Sequence, residues 1–182
     1  KYNNVYINDT STITGPYESK GPLSKYFDKS YDDLYFGTKT WELAEVKLIE
    51  ESIDILLNKL EITKFDIDVL ISGDLLNQIV ATNYAASSLG IPLIGIYGAC
   101  STSVLGLIIA SNMVEAKQVK NAVASTSSHN NAAEKQFRYP VEYGGPKRKT
   151  TTFTSTGGAS AYLSRDKKGI KVESATLGTV VD

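Results

Sequence analysis

The sequence predicts an α/β protein, a sheet with crossover helices on both faces. Short apolar runs of strand length alternate with helix-length segments along most of the chain, and such alternation builds a sheet whose strands are joined by crossover helices. Trp41 to Leu60 carries Val46, Ile49, Ile53, Leu56, Leu57 and Leu60 at spacings of three and four, the period of an amphipathic helix. Pro92 to Tyr97 is almost wholly apolar, as in a strand covered on both faces.

In chain order, residues 1–39 show little periodicity beyond the β-prone Val5-Tyr6-Ile7. Thr14-Gly15-Pro16 and Gly21-Pro22 read as turns, and Tyr17, Tyr26, Phe27, Tyr31, Tyr35 and Phe36 predict a loop that packs onto something. Thr38 or Thr40 caps the Trp41–Leu60 helix. Ile67 to Ser72 reads as a buried strand ending at Gly73, Gln78 to Leu89 as a helix closed by Gly90, and Pro92 to Tyr97 as the next strand. Gly98 to Ser103 turns into an apolar helix reaching about Ala116, and Asn121 to Ser125 is a further strand. Ser127 to Lys149 reads as a long polar loop. Thr150 to Leu163 and Ile170 to Ala175 read as closing strands around a turn at Arg165 to Gly169. The strand-like Leu177-Gly178-Thr179-Val180-Val181 predicts that the natural chain continues, and Lys1 in place of Met predicts that it starts earlier.

With 182 residues, 42% of them hydrophobic, the chain supports one core and one domain over residues 1–182. Nineteen basic and twenty acidic residues give a net charge of -1, so no basic footprint points to nucleic acid. The apolar runs are too short to span a bilayer, and no charged-then-apolar leader opens the sequence. One Cys forms no internal disulfide, in keeping with a reducing compartment. One His limits metal binding and His-based catalysis.

The strongest chemical feature is Ile94-Gly95-Ile96-Tyr97-Gly98-Ala99-Cys100-Ser101-Thr102-Ser103, a strand, a small-residue turn and a Cys opening a helix. Cys100 then faces unpaired N–H groups and the positive end of the helix dipole. That setting stabilises a thiolate and also holds a carboxylate or oxyanion. The plainer alternative is a small buried hydrophobe.

Asp74 follows an apolar strand directly, where ligands of open α/β sheets bind; it either contacts a ligand or caps the next helix. Asn77 and Gln78 either read a carboxylate or start that helix. His129 either donates to a ligand carboxylate or, the better reading, is a hydrogen-bonded structural residue. Arg138, between Phe137 and Tyr139, presents a planar fork suited to a carboxylate. Lys147-Arg148-Lys149 reads as a solvated face. Tyr139-Pro140 and Tyr143-Gly144-Gly145 read as a shaped aromatic loop. Gly157-Gly158-Ala159-Ser160-Ala161 lacks the spacing and Lys of a phosphate loop and reads as a close-packing strand.

Several strings carry a resemblance: Gly73-Asp74-Leu75-Leu76-Asn77-Gln78, Tyr97 to Ser103, Ser127-Ser128-His129-Asn130, Glu134 to Pro140 and Glu142-Tyr143-Gly144-Gly145, together with Asn4 to Asn8 and Gly21 to Asp28. Together they resemble the stage V sporulation protein AD family, along nearly the whole chain. Gly98-Ala99-Cys100-Ser101 alone resembles only the wider thiolase and ketoacyl-synthase superfamily. The resemblance implies a thiolase-like fold of two similar halves with a mixed sheet, this chain supplying the N-terminal half of a chain about twice as long. It implies a soluble subunit of the membrane complex that moves dipicolinic acid, with calcium, into the developing spore. It places Asp74 and Cys100 at the ligand pocket, with Asn77, His129 and Arg138 as further candidates. The superfamily's catalytic His residues belong to the second half and His129 does not match them, so no acyl transfer is expected of this chain alone. The expected partners are dipicolinic acid, the other membrane subunits and a second copy in a homodimer. No cofactor is expected apart from calcium arriving with dipicolinate. The expected location is the forespore, soluble or peripheral to the spore inner membrane. Two other functions stay open: an acyl-transfer enzyme with Cys100 as nucleophile, and a structural adaptor of a membrane complex.

Overall fold

The computed structural model describes residues 1–137, 150, 152 and 154–179. Arg138, the Tyr139-Pro140 and Tyr143–Gly145 loop and Lys147–Lys149 lie outside the described residues.

The 20-residue helix α1, Trp41–Leu60, forms where its periodicity predicts. The Thr40 hydroxyl accepts from the Leu43 N–H at 3.2 Å, satisfying one of the donors a helix start leaves open. Glu61, at φ +55°, ends the helix in the left-handed conformation. Its buried stripe is Ala44, Glu45, Leu48, Ile49, Ser52, Ile53, Leu56 and Leu57. Each fully buried Ile or Leu there contributes roughly 1.5–3 kcal/mol, but the stripe also carries a carboxyl and a hydroxyl.

The strands are β1 (Tyr6–Thr14), β2 (Lys29–Ser30), β3 (Leu70–Gly73), β4 (Leu93–Gly95), β5 (Asn121–Ser128), β6 (Gly157–Ser164) and β7 (Ile170–Lys171). They form one sheet in the order β2-β1-β6-β5-β3-β4, with β7 also on β1. The β3 strand pairs parallel with β4 and β5, while β6 runs antiparallel between β5 and β1. The sheet is therefore mixed, as expected.

Helix α1 and helix α2 (Val80–Leu89) cover one face, and helix α3 (Thr102–Glu115) the other. The two-residue period of the strands sorts the core. Leu70 and Val123 join the α1 side, and Val69, Ile71, Ala122 and Ala124 the α3 side. Along β6 the residues are small because α1 lies close. A Cβ on Gly158 would come within 2.8 Å of the Leu48 carbonyl oxygen, so the close-packing reading of Gly157–Ala161 holds.

Four expectations need correction. The run at Val5–Ile7 leads into the nine-residue strand β1, Tyr6–Thr14. Its Thr, Ser and Ile residues suit a sheet although they make no apolar run. The closing strand begins at Gly157, not at Thr150, and the strand expected from Ile67 begins at Leu70 after a turn at Lys64–Asp66. Within the expected long loop, Asn130–Phe137 forms helix α4. Ala132, Ala133, Glu134, Lys135 and Gln136 favour helix, but eight residues leave too short a period to read. Among the described residues, no helix is long and apolar enough to cross a membrane.

Candidate functional site

Because β1, β3 and β5 all run opposite to β6, their carboxyl ends and the amino end of β6 meet on one rim. A cleft of about 620 Å³ opens there, where ligands of open α/β sheets bind. Asp74 and Leu75 follow β3, Thr12 and Thr14 end β1, Thr126 to Ser128 end β5, and Gly157 to Ala159 begin β6. Ala99, Cys100, Thr102 and Ser103 close one side.

The Cys100 turn is built by close approach. Gly73, the last residue of β3, abuts the Ile96 carbonyl so tightly that any Cβ would collide with it. The chain then bends at Ala99, whose φ of +46° is unusual for a residue with a side chain. The Thr102 hydroxyl donates to the Ala99 carbonyl at 2.8 Å and accepts from the Gly98 N–H at 3.0 Å, locking the bend. Cys100 sits exposed on the one-turn helix Ala99–Ser101 at the start of α3. The alternative of a buried small hydrophobe is thereby excluded.

Asp74 is buried, 1% exposed, beside Cys100 in the cleft lining. Its Oδ1 accepts from the Leu76 N–H at 2.8 Å and its Oδ2 from the Thr82 N–H at 2.7 Å. Burial pushes its carboxyl up, and the two backbone donors pull it back down. Asp74 thus organises the link from β3 to α2, so the capping alternative holds while the residue still lines the cleft.

The structure keeps two other candidates apart from that pair. Asn77 is exposed and lies outside the cleft; its N–H donates to Gln136 Oε1 at 2.8 Å. His129 is fully buried and does not line the cleft. Its Nε2 lies 2.7 Å from the Leu34 carbonyl, its Nδ1 receives the Ala132 N–H at 3.3 Å, and its ring meets Phe36 edge-on. That pattern fixes the tautomer with the proton on Nε2. Burial pushes its basicity down, against the pull of the Leu34 carbonyl. It is the structural His that the better reading expected. The fifth candidate, Arg138, lies outside the described residues.

Sequence reasoning missed two features. One is the hydroxyl lining: Thr12, Thr14, Thr126, Ser127, Ser128 and Ser155 all face the cleft, and no described lining residue is Lys, Arg or His. The other is Glu45, fully buried under the cleft floor, whose Oε1 accepts from the Ser127 hydroxyl at 3.1 Å. Burial, then the charge of Asp74, pushes Glu45 up to about 8. An acidic residue on the buried stripe of α1 was the available signal.

Comparison with known proteins matches this architecture. The fold is similar to solved structures of OleA from Xanthomonas campestris, with a TM-score of 0.61 at 16% identity, covering 91% of this chain and 57% of that one. It is also similar to 3-oxoacyl-[acyl-carrier-protein] synthase III from Aquifex aeolicus, with a TM-score of 0.57 at 15% identity, covering 90% and 55%. These likenesses establish the thiolase-like fold. Stage V sporulation protein AD of Bacillus subtilis (strain 168) is 47% identical over 178 residues, 98% of this chain and 53% of its own length. The chain therefore spans about half the length of that relative. The family model for Stage V sporulation protein AD (SpoVAD) matches residues 2–182, and the chain belongs to that sporulation family.

Proposed function

We propose that this chain forms the N-terminal half of a two-half thiolase-like protein and supplies the cleft that binds dipicolinate, alone or with calcium. In this reading the protein is the soluble subunit of the spore's dipicolinate uptake complex and performs no chemistry on its ligand. The observation that carries the reading is the cleft itself. Asp74 and Cys100 line it together, ringed by Ser and Thr hydroxyls, at a turn that starts a helix. The helix-start N–H groups are neutral donors that hold carboxylates without a fixed cation, while Thr12, Ser127 and Ser128 give their hydroxyl protons to Asp28, Glu45 and the Ser155 carbonyl. His129, with both ring nitrogens engaged away from the cleft, gives Cys100 no general base from this half.

The test is calorimetric titration of dipicolinate, with and without calcium, into the full-length protein. Saturable heat is expected, and Cys100→Trp, which places a bulky ring at the exposed turn, abolishes it without lowering the melting temperature. No heat at millimolar dipicolinate in either condition would leave the structural adaptor as the better reading.

One observation favours acyl transfer: the exposed thiol at the strained Ala99 turn. A stable acyl adduct on Cys100 after incubation with an acyl thioester, lost in Cys100→Ser, would establish it. A homodimer through β4, which among the described residues pairs only with β3, belongs to the same reading. So does peripheral attachment to the inner membrane of the forespore.

A further inference from the structure

Two buried carboxyl groups meet beside β3 and β5, Asp74 in the cleft lining and Glu45 beneath it, and Asp74 alone of the two has both oxygens filled. Asp74 commits Oδ1 and Oδ2 to backbone N–H groups. Glu45, on the inner face of α1, holds the Ser127 hydroxyl through Oε1 and has the Leu75 N–H close enough to favour its charged form, while its Oε2 is buried without a well-formed hydrogen bond. An unmet buried carboxyl oxygen is costly, and far more so when charged. Ser127 lines the cleft. A hydroxyl has a single proton, so by giving it to Glu45, Ser127 turns lone pairs to any ligand.

The surroundings of Glu45 are acidic. The charges acting on it are those of Asp74 and of Glu42, one turn earlier and paired with Lys135 of α4 at 2.9 Å. Helix α4 also brings Glu134, whose Oε1 accepts from Thr154, and follows the neutral His129. Neither α2 nor β5 carries a charged side chain. Held at about 8 by burial and by Asp74, Glu45 keeps its proton at neutral pH. Cys100 is the other titratable side chain among the described lining residues.

We propose that the proton on Glu45 gates anion binding: with it in place the cleft floor at Asp74 and Ser127 admits a carboxylate ligand, and without it the added negative charge turns the ligand away. This rests on reading the cleft as a dicarboxylate site and adds a proton to its binding equilibrium. Linkage makes the effect reciprocal, so a bound anion favours protonated Glu45.

The test is titration of dipicolinate, doubly ionised throughout, into full-length wild type and Glu45→Gln between pH 6 and pH 9.5. It is run in buffers of different ionisation enthalpy. Wild-type affinity is expected to fall by up to about tenfold per pH unit above pH ~8, with uptake of up to about one proton per ligand. Glu45→Gln, which carries no proton to lose, removes both the slope and the uptake. Wild-type proton uptake needs no variant and stands if the Gln protein folds poorly. A slope that persists in Glu45→Gln overturns the proposal, as does pH-independent wild-type binding with no proton uptake. Absence of binding at every pH instead removes the dicarboxylate reading on which the proposal rests, and the proposal with it. The two failures are told apart by whether heat is seen at pH 6.

Discussion

The two sides of the cleft treat their polar groups in opposite ways. On the β3 and β5 side, Asp74 and Glu45 are turned inward, and each accepts at least one hydrogen bond from the protein itself. On the α3 side, the Cys100 turn faces outward on a backbone held open by Ala99 and Thr102. The first arrangement makes chemical character expensive to alter, because each removed group orphans a buried partner. The second leaves character cheap to alter, because the scaffold under Cys100 does not depend on its sulfur. One side of the cleft is therefore fixed by the fold and the other is open to change.

The largest test of that contrast is Asp74→Ala. It orphans two buried N–H groups and should cost about 3 kcal/mol or more of stability, read by denaturant melts of the full-length protein. Next comes pH. Glu45 is raised in the fold above its ordinary range, so the folded state holds its proton where the unfolded chain has lost it. Its contribution is complete below the ordinary carboxylate range and is lost as pH rises towards about 8. Wild type should lose up to roughly 1.4 kcal/mol per pH unit relative to Glu45→Gln across that window, as thermal melts would show. His129 has the opposite sign. Its folded value is depressed, so its stabilisation is present above the ordinary imidazole range and is lost as pH falls below it. His129→Ala, which removes the Leu34 and Ala132 bonds, should cost about 1–3 kcal/mol and leave alkylation of Cys100 by iodoacetamide unchanged. The smallest effect is Cys100→Ser, expected within about 0.5 kcal/mol of wild type in the same melts. A larger loss there would break the contrast.

The parts of the molecule that a period announces were legible in the sequence: α1, the apolar strands and the turn ahead of Cys100. What was not legible depends on neighbours distant in the chain. The strand Tyr6–Thr14 has no apolar run because its burial comes from β6 and α1, more than thirty residues away in sequence. The eight-residue α4 is too short to show a period, and it is anchored by His129, whose ring contacts Leu34 and Phe36. The same limit applied to the site. Asp74 and Cys100 could be paired because each ends a readable strand. Asn77 follows Asp74 closely in sequence, yet it lies exposed outside the cleft with its N–H given to Gln136 of α4. Glu45 drew no notice in the sequence, and only the register of the α1 stripe places it inside.

The small residues that let α1 approach the sheet also form a chain of hydroxyls. Ser52 of α1 contacts Ser160 of β6 at 2.7 Å, Ser160 donates to Ser125 of β5 at 2.9 Å, and Ser11 of β1 donates to the Ser52 carbonyl. Three strands and a helix are thus tied at a single level. Sliding α1 by one turn would offer the serines of the sheet an Ile49 or a Leu56 in place of Ser52, leaving dry, unanswered hydroxyls. The chain works as a registration mark, raising the energy of every misaligned assembly above that of the native one.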